Sequence, residues 1–191
     1  MTARLQGTNV PPMTRIAPAI FLMIVAASAQ GQSSNPTPPP EIRKWDVWAG
    51  DWALSGKAKD NPGAPEYKVD WYLHEHWILG GFFMQVDQTW KANGAELHSL
   101  EILSYDRVRK IHTGSGFSSD GSTWSLTATF DKAMLVENGE SRAPDGGLTR
   151  CETTWKFSDD RMALSGTQEC EQNGVRWRAL EVSGRKSTVT K

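Results

Sequence analysis

The sequence lacks most of what would assign it a chemistry. Its 191 residues hold 21 Lys and Arg against 22 Asp and Glu, a formal net charge of -1. No basic stripe appears, which argues against a nucleic-acid partner. The nearest approach to a nucleophile elbow, Gly139-Glu140-Ser141-Arg142-Ala143, fails at its last position. No His-Glu-x-x-His, Cys-x-x-Cys or phosphate loop occurs, so no familiar catalytic motif is present. The mature region has no long stretch of helical period. The one extended apolar run, Ile16 to Ala27, is too short to span a bilayer. Cysteine is scarce, with two residues, and only three tyrosines stand against nine tryptophans.

The N-terminal region reads as a secretory signal rather than as fold. Met13-Thr14-Arg15 gives a positive start, Ile16 to Ala27 an apolar segment, and Ala27-Ser28-Ala29 a cleavage site. Residues 1–29 are therefore expected to be removed, with Met13 a second candidate start. No Cys stands at the cleavage site, so no lipid anchor is expected. Residues 30–44 read as a disordered linker rich in Pro and Ser, with Glu41 to Ala49 able to form a short helical turn. The barrel domain is expected over 45–185 and a flexible tail over 186–191. Cys151 and Cys170 form an even pair in an exported chain, which favours a disulfide.

What the chain does contain is tryptophan and turns. Trp45, Trp48 and Trp52 fall within eight positions, around Gly50-Asp51-Trp52. That stretch reads as the entry to a first strand, with Trp52 pointing inward to close a barrel floor. Beyond it, Asn93-Gly94, Asp120-Gly121, Asn138-Gly139, Asp145-Gly146 and Asn173-Gly174 are hairpin signals. They separate segments of about 8 to 12 residues, the spacing of an all-β sandwich or barrel.

Each turn predicts a register. A two-residue turn at Asn93-Gly94 sets Lys91 opposite Glu96, Trp90 opposite Leu97, Met84 opposite Leu103 and Phe82 opposite Tyr105. The same turn at Asp120-Gly121 sets Phe117 opposite Trp124 and Ser115 opposite Leu126. At Asn173-Gly174 it sets Glu171 opposite Arg176, Glu169 opposite Arg178 and Cys170 opposite Trp177. A four-residue loop, Asp159 to Met162, sets Trp155 opposite Gly166 and Cys151 opposite Cys170. Two independent turns thus place both cysteines and Trp177 on one inner face, which a one-residue slip would undo.

The same registers put Gln88, Ser99, Glu101, Thr113, Ser115, Thr153, Gln168 and Glu181 on the face of the apolar wall. Buried carboxylates are rare unless paired. Glu101 and Glu181 therefore line either a ligand or water cavity, or an open rim. His74-Glu75-His76 puts two imidazoles on one strand face, too few for a metal site, and a solvated outer face is expected.

Gly50-Asp51-Trp52 heading a β-only domain resembles the lipocalin-like, or calycin, superfamily. Leu79-Gly80-Gly81-Phe82-Phe83 and Ser104-Tyr105-Asp106 make the chain similar to an uncharacterised bacterial family of exported lipocalin-like domains, over about Trp45 to Val182. The resemblance implies an antiparallel up-and-down lipocalin-like β-barrel of about eight to ten strands, with a cavity. It also implies an Arg of the last strand against Trp52. Arg178 is turned outward by the register, so Arg185 is the match. The haem-binding branch uses a late histidine, and none follows His112.

The expected function is binding of a small, partly apolar molecule in the cavity of an exported protein, periplasmic or secreted. Trp71, Met84, Gln88, Trp90, Glu101, Trp124, Trp155, Gln168 and Glu181 are the expected ligand contacts. Gly50, Trp52, Cys151, Cys170 and Trp177 are the expected structural residues. No cofactor, no metal, no nucleic acid and no membrane insertion after signal cleavage are expected, and the oligomeric state stays open. The alternatives are a cavity enzyme using Glu101 or Glu181 as acid or base, and a filled-core structural or partner-binding domain.

Overall fold

A computed structural model describes residues 36–187. The signal segment 1–29 and the first residues of the linker lie outside them, as do residues 188–191. Ten antiparallel strands close into an up-and-down barrel, each paired with its sequence neighbours and β1 with β10. They are β1 (Gly50–Ala58), β2 (Tyr67–Ile78), β3 (Phe83–Ala92), β4 (Ala95–Asp106) and β5 (Ile111–Ser118). There follow β6 (Thr123–Asp131), β7 (Met134–Arg142), β8 (Leu148–Phe157), β9 (Ala163–Gln172) and β10 (Val175–Lys186). Closure leaves no free sheet edge.

Three registers agree with the turn chemistry. Asn93 and Gly94, and Asn173 and Gly174, all carry positive φ as tight hairpins require. Trp90 pairs with Leu97 and Met84 with Leu103. Cys170 pairs with both Trp177 and Cys151, and Trp155 with Gly166. Lys91 and Glu96 meet at 3.0 Å on the outer face.

Three departures decide what faces inward. At the β5–β6 turn, Ser118 N donates to Ser122 O at 2.9 Å, which leaves three loop residues rather than two. Gly121 sits there at φ 89°. The extra residue flips β5, so His112, Gly114 and Gly116 face in. Thr113 and Ser115 face out, and Phe117 is 57% exposed.

Asn138-Gly139 is not a turn. It lies within β7, and the chain reverses at Lys132-Ala133, where Lys132 takes φ 52°. Gly139 serves close packing instead, since a Cβ there would meet Ser125 O at 3.0 Å.

β10 carries a bulge between Arg178 and Leu180. A bulge inserts one unpaired residue and reverses the alternation beyond it. Leu180 and Val182 are buried, and Glu181 is turned to solvent beside Arg178. The same shift turns Arg185 out opposite Ala53 and brings Lys186 to Trp52, with Nζ 5.2 Å from the ring centre. Lys186 therefore belongs to the barrel and not to the tail.

The linker also ends earlier than residue 44. Pro40–Val47 form a 3₁₀ helix that buries Ile42 and Trp45. Trp45 meets Phe130 edge to face at 4.9 Å and donates its indole N–H to Ser104 O at 3.2 Å. Trp48 meets Trp155 at 5.0 Å and Phe157 at 5.1 Å. Three large apolar side chains outweigh the local preference of a Pro-rich segment for extended chain, and the helix plugs the end of the barrel at which β1 begins.

A disulfide joins Cys151 and Cys170 across β8 and β9. Its removal lengthens the free unfolded chain, worth about 3 kcal/mol for a loop of about 20 residues in the chain-entropy model. We expect dithiothreitol to lower the urea midpoint without unfolding the barrel. Two alkylatable thiols in unreduced protein would contradict the bridge.

Candidate functional site

The half of the barrel away from the plug encloses a cavity of about 410 Å³ that reaches exposed Asp60. Its wall comes from inward positions of successive strands. β2 gives Tyr67 and Trp71, β3 Gln88 and Trp90, β4 Glu101 and β6 Trp124. β7 gives Glu137, β8 Cys151, Thr153 and Trp155, β9 Gln168 and Cys170, and β10 Trp177.

A buried indole N–H needs an acceptor, and here the acceptors are side chains of the wall. Trp124 Nε1 donates to Glu101 Oε1 at 3.0 Å, and Trp155 Nε1 to Glu137 Oε2 at 2.9 Å. Trp71 Nε1 donates to Gln88 Oε1 at 3.2 Å, and Gln88 Nε2 donates onward to Glu101 Oε2 at 3.2 Å. Gln168 Nε2 donates to Thr153 Oγ1 at 2.9 Å. Trp177 Nε1 reaches Lys59 O at 3.0 Å.

Glycines set two of these rings. A Cβ on Gly116 would lie 2.0 Å from the Trp124 ring, and one on Gly166 would lie 2.1 Å from the Trp155 ring. Each ring lies over the bare backbone of its cross-strand partner. Gly166→Ala should push Trp155 off Trp48 and break its bond to Glu137. Such overpacking costs about 1–3 kcal/mol. A lowered melting temperature with an altered tryptophan emission spectrum is the expected result. An unchanged spectrum would contradict the ring placement.

Three carboxyls are enclosed by the barrel. Burial, opposed by the bonds from Trp124 and Gln88, pushes Glu101 up to about 6. Burial and the neighbouring Glu101 push Glu137 up to about 8, against the bond from Trp155. Glu75 lies deeper, 4% exposed, and its Oε2 finds no hydrogen-bond partner among the described residues. Burial first, then Glu101 and Glu137, hold it well above the usual range, with Lys186 acting the other way. Near neutral pH the cavity thus pairs a largely ionised Glu101 with a protonated Glu137, an acceptor beside a donor.

Of the expected contacts, Trp71, Gln88, Trp90, Glu101, Trp124, Trp155 and Gln168 all line the cavity. Met84 does not. It is fully buried in the core below. Glu181 is turned out by the bulge. Glu137 went unread because Asn138-Gly139 resembled a turn. Glu75 was legible, since it alternates with Leu73 and Trp77 on the apolar face of β2. Gly50 holds φ 120° at the start of β1, and Trp52 is 1% exposed. His74 faces outward and meets Asp51 at 2.6 Å. Among the described residues no group of three or more His, Cys, Asp or Glu is placed to hold a metal.

Residues 38–186 match the family model described as "Protein of unknown function (DUF1579)". No curated protein matches the chain.

Proposed function

The chain belongs to that family of unknown function, and on that premise we propose that it is an exported, lipocalin-like binding barrel for a small, partly apolar molecule. The observation that carries this reading is the cavity of about 410 Å³, walled by tryptophans and set with Glu101, Glu137 and Gln88. Ligand sites of about 300–1,000 Å³ have this make-up, mostly apolar with a few placed polar groups, and barrel mouths are a common location. A domain needing only a core gains nothing from enclosed carboxyls that must be held neutral or bonded. The disulfide favours an oxidising compartment, periplasmic or extracellular. No helix among the described residues is long and apolar enough to cross a membrane.

The test is native mass spectrometry of protein from its own host, followed by a tryptophan-fluorescence titration with small aromatic amines, alcohols and acids. A retained mass or a saturable change supports the reading. No response to any member at millimolar concentration overturns it.

A second reading rests on Glu101 and Glu137. An ionised carboxylate and a protonated one in the same cavity are the two partners of general acid–base catalysis. It predicts turnover that Glu101→Gln abolishes while the melting curve stays in place.

A further inference from the structure

We infer that the molecule the cavity takes is an organic cation, an ammonium group on an apolar body, with its charge at Glu101 and Glu137 and its body against the tryptophan rings. This rests on the cavity-binding reading above and names the ligand class.

Apart from His112, which is bonded to Glu41 O at the plug, and Lys186 on the floor, the ionisable groups enclosed by the barrel are acids. Glu101 and Glu137 project into the cavity, with Glu75 behind them. Glu101 accepts from Trp124 and Gln88, and Glu137 accepts from Trp155 alone. An ionised carboxylate has about four lone-pair sites and a protonated one keeps the remainder beside its O–H, so both retain acceptor capacity. Among the described residues neither lies within ion-pair distance of a Lys, Arg or His. Lys186 is on the floor over Trp52, beside Glu75. Lys59 lines the mouth together with Asp60 and Tyr67, and Glu140 beside them is paired with Arg150 at 2.8 Å. An anionic ligand would meet carboxyls from β4 and β7 with no Lys, Arg or His among the strand residues of the wall to receive it.

The indoles offer ring faces rather than donors. Trp71, Trp124, Trp155 and Trp177 each spend their single N–H on the wall or on Lys59 O. What they have left for a ligand is ring surface, which attracts cations through the ring quadrupole. Trp71 stands 5.4 Å from Trp90 and 5.8 Å from Trp155, so several rings converge on one space. Beyond the Glu137 O–H and the Trp90 N–H, the wall offers a ligand mainly acceptors and ring faces.

Binding of a cation would also move a proton. A cation lowers the pKa of a carboxyl it touches, so its arrival should drive the proton off Glu137. Glu101 and Glu75 oppose that loss, and the cation's charge offsets them. Binding is then coupled to release of a proton to solvent.

The probes are phenethylamine, 2-phenylethanol and phenylacetate, which share one aromatic body and differ in charge. Each is titrated into the oxidised protein by calorimetry at pH 7, in two buffers of different ionisation enthalpy, and by fluorescence from pH 5.5 to 8. We expect phenethylamine to bind at least about tenfold tighter than 2-phenylethanol, consistent with charge-assisted and cation–π contacts. We expect up to about one proton released per ligand at pH 7, and affinity that rises with pH. Glu137→Gln should abolish the proton release, and Glu101→Gln should weaken phenethylamine about tenfold while leaving 2-phenylethanol unchanged. Equal or tighter binding of the alcohol or the acid overturns the cation class and leaves the binding reading intact. No binding by any of the three at millimolar concentration overturns both. The affinity order is measured on the unaltered protein, so the outcome does not depend on either variant folding.

Discussion

Trp52→Ala is expected to lower the unfolding free energy by about 3–5 kcal/mol, the range for truncating a large core aromatic. Trp52 is 1% exposed and stands where β1 leaves the plug. Its Nε1 donates to Trp48 O at 2.6 Å. Its ring meets Trp48 at 5.9 Å and Phe157 at 6.2 Å edge to face, and carries Lys186 Nζ at 5.2 Å. Alanine would leave a void between plug and sheet, an unpaired Trp48 carbonyl and a half-buried ammonium without its aromatic partner. Trp52→Phe keeps the aromatic contact and loses the hydrogen bond, so it should fall between the two. Trp52 does not line the cavity, so ligand affinity of the protein that remains folded should be unchanged. A urea midpoint equal to wild type for Trp52→Ala would contradict the floor assignment.

The fold was legible where turn chemistry and side-chain parity agreed. Asn93-Gly94 and Asn173-Gly174 are true two-residue turns, so the residues paired through them face as expected as far as the bulge in β10, including Trp90, Cys170 and Trp177. The misreadings share one cause. Strand parity has a period of two, so a single residue gained or lost inverts everything beyond it. Asp120-Gly121 has one loop residue more than a two-residue turn, which inverted β5. The bulge before Leu180 has no sequence mark, which inverted Glu181 and Arg185. Asn138-Gly139 carries turn chemistry in a strand because Gly139 must pass close to Ser125 O. That disguise hid Glu137, the second carboxyl of the cavity. Gly166 was legible as the partner of Trp155, whereas Gly116 was hidden by the inverted register of β5, which had set Phe117 opposite Trp124.

Stability is expected to fall as pH rises from about 5 to 8, opposite to the acid denaturation that paired carboxylates produce. An unfolded Glu titrates near pH 4.3. In the folded barrel Glu101 is raised to about 6 and Glu137 to about 8, and burial holds Glu75 higher than its usual range. Above the unfolded value the folded state therefore holds more protons than the unfolded one, and the linkage slope is negative. The contribution of these groups is complete below about pH 4 and is lost as pH passes through each folded value. A tenfold difference in proton affinity corresponds to about 1.4 kcal/mol, so the loss between pH 5 and 8 is on the order of 4 kcal/mol. His112 acts the other way. Burial lowers its pKa, so the unfolded chain takes up that proton first as pH falls through about 6.5. It is one group against three, which leaves the net slope negative. Asp120 and Asp160 are lowered by bonds from Ser122 and Ser158, and they act only below about pH 4. Glu137→Gln replaces a carboxyl already protonated in the folded state with a neutral group of the same shape. It should flatten the profile and make the protein more stable than wild type at pH 8. Urea midpoints at pH 5.0, 6.5 and 8.0 decide the matter. A wild-type midpoint that climbs steadily over that range would show that the carboxyls are ionised in the folded barrel, and the acceptor and donor roles given to Glu101 and Glu137 would have to be withdrawn.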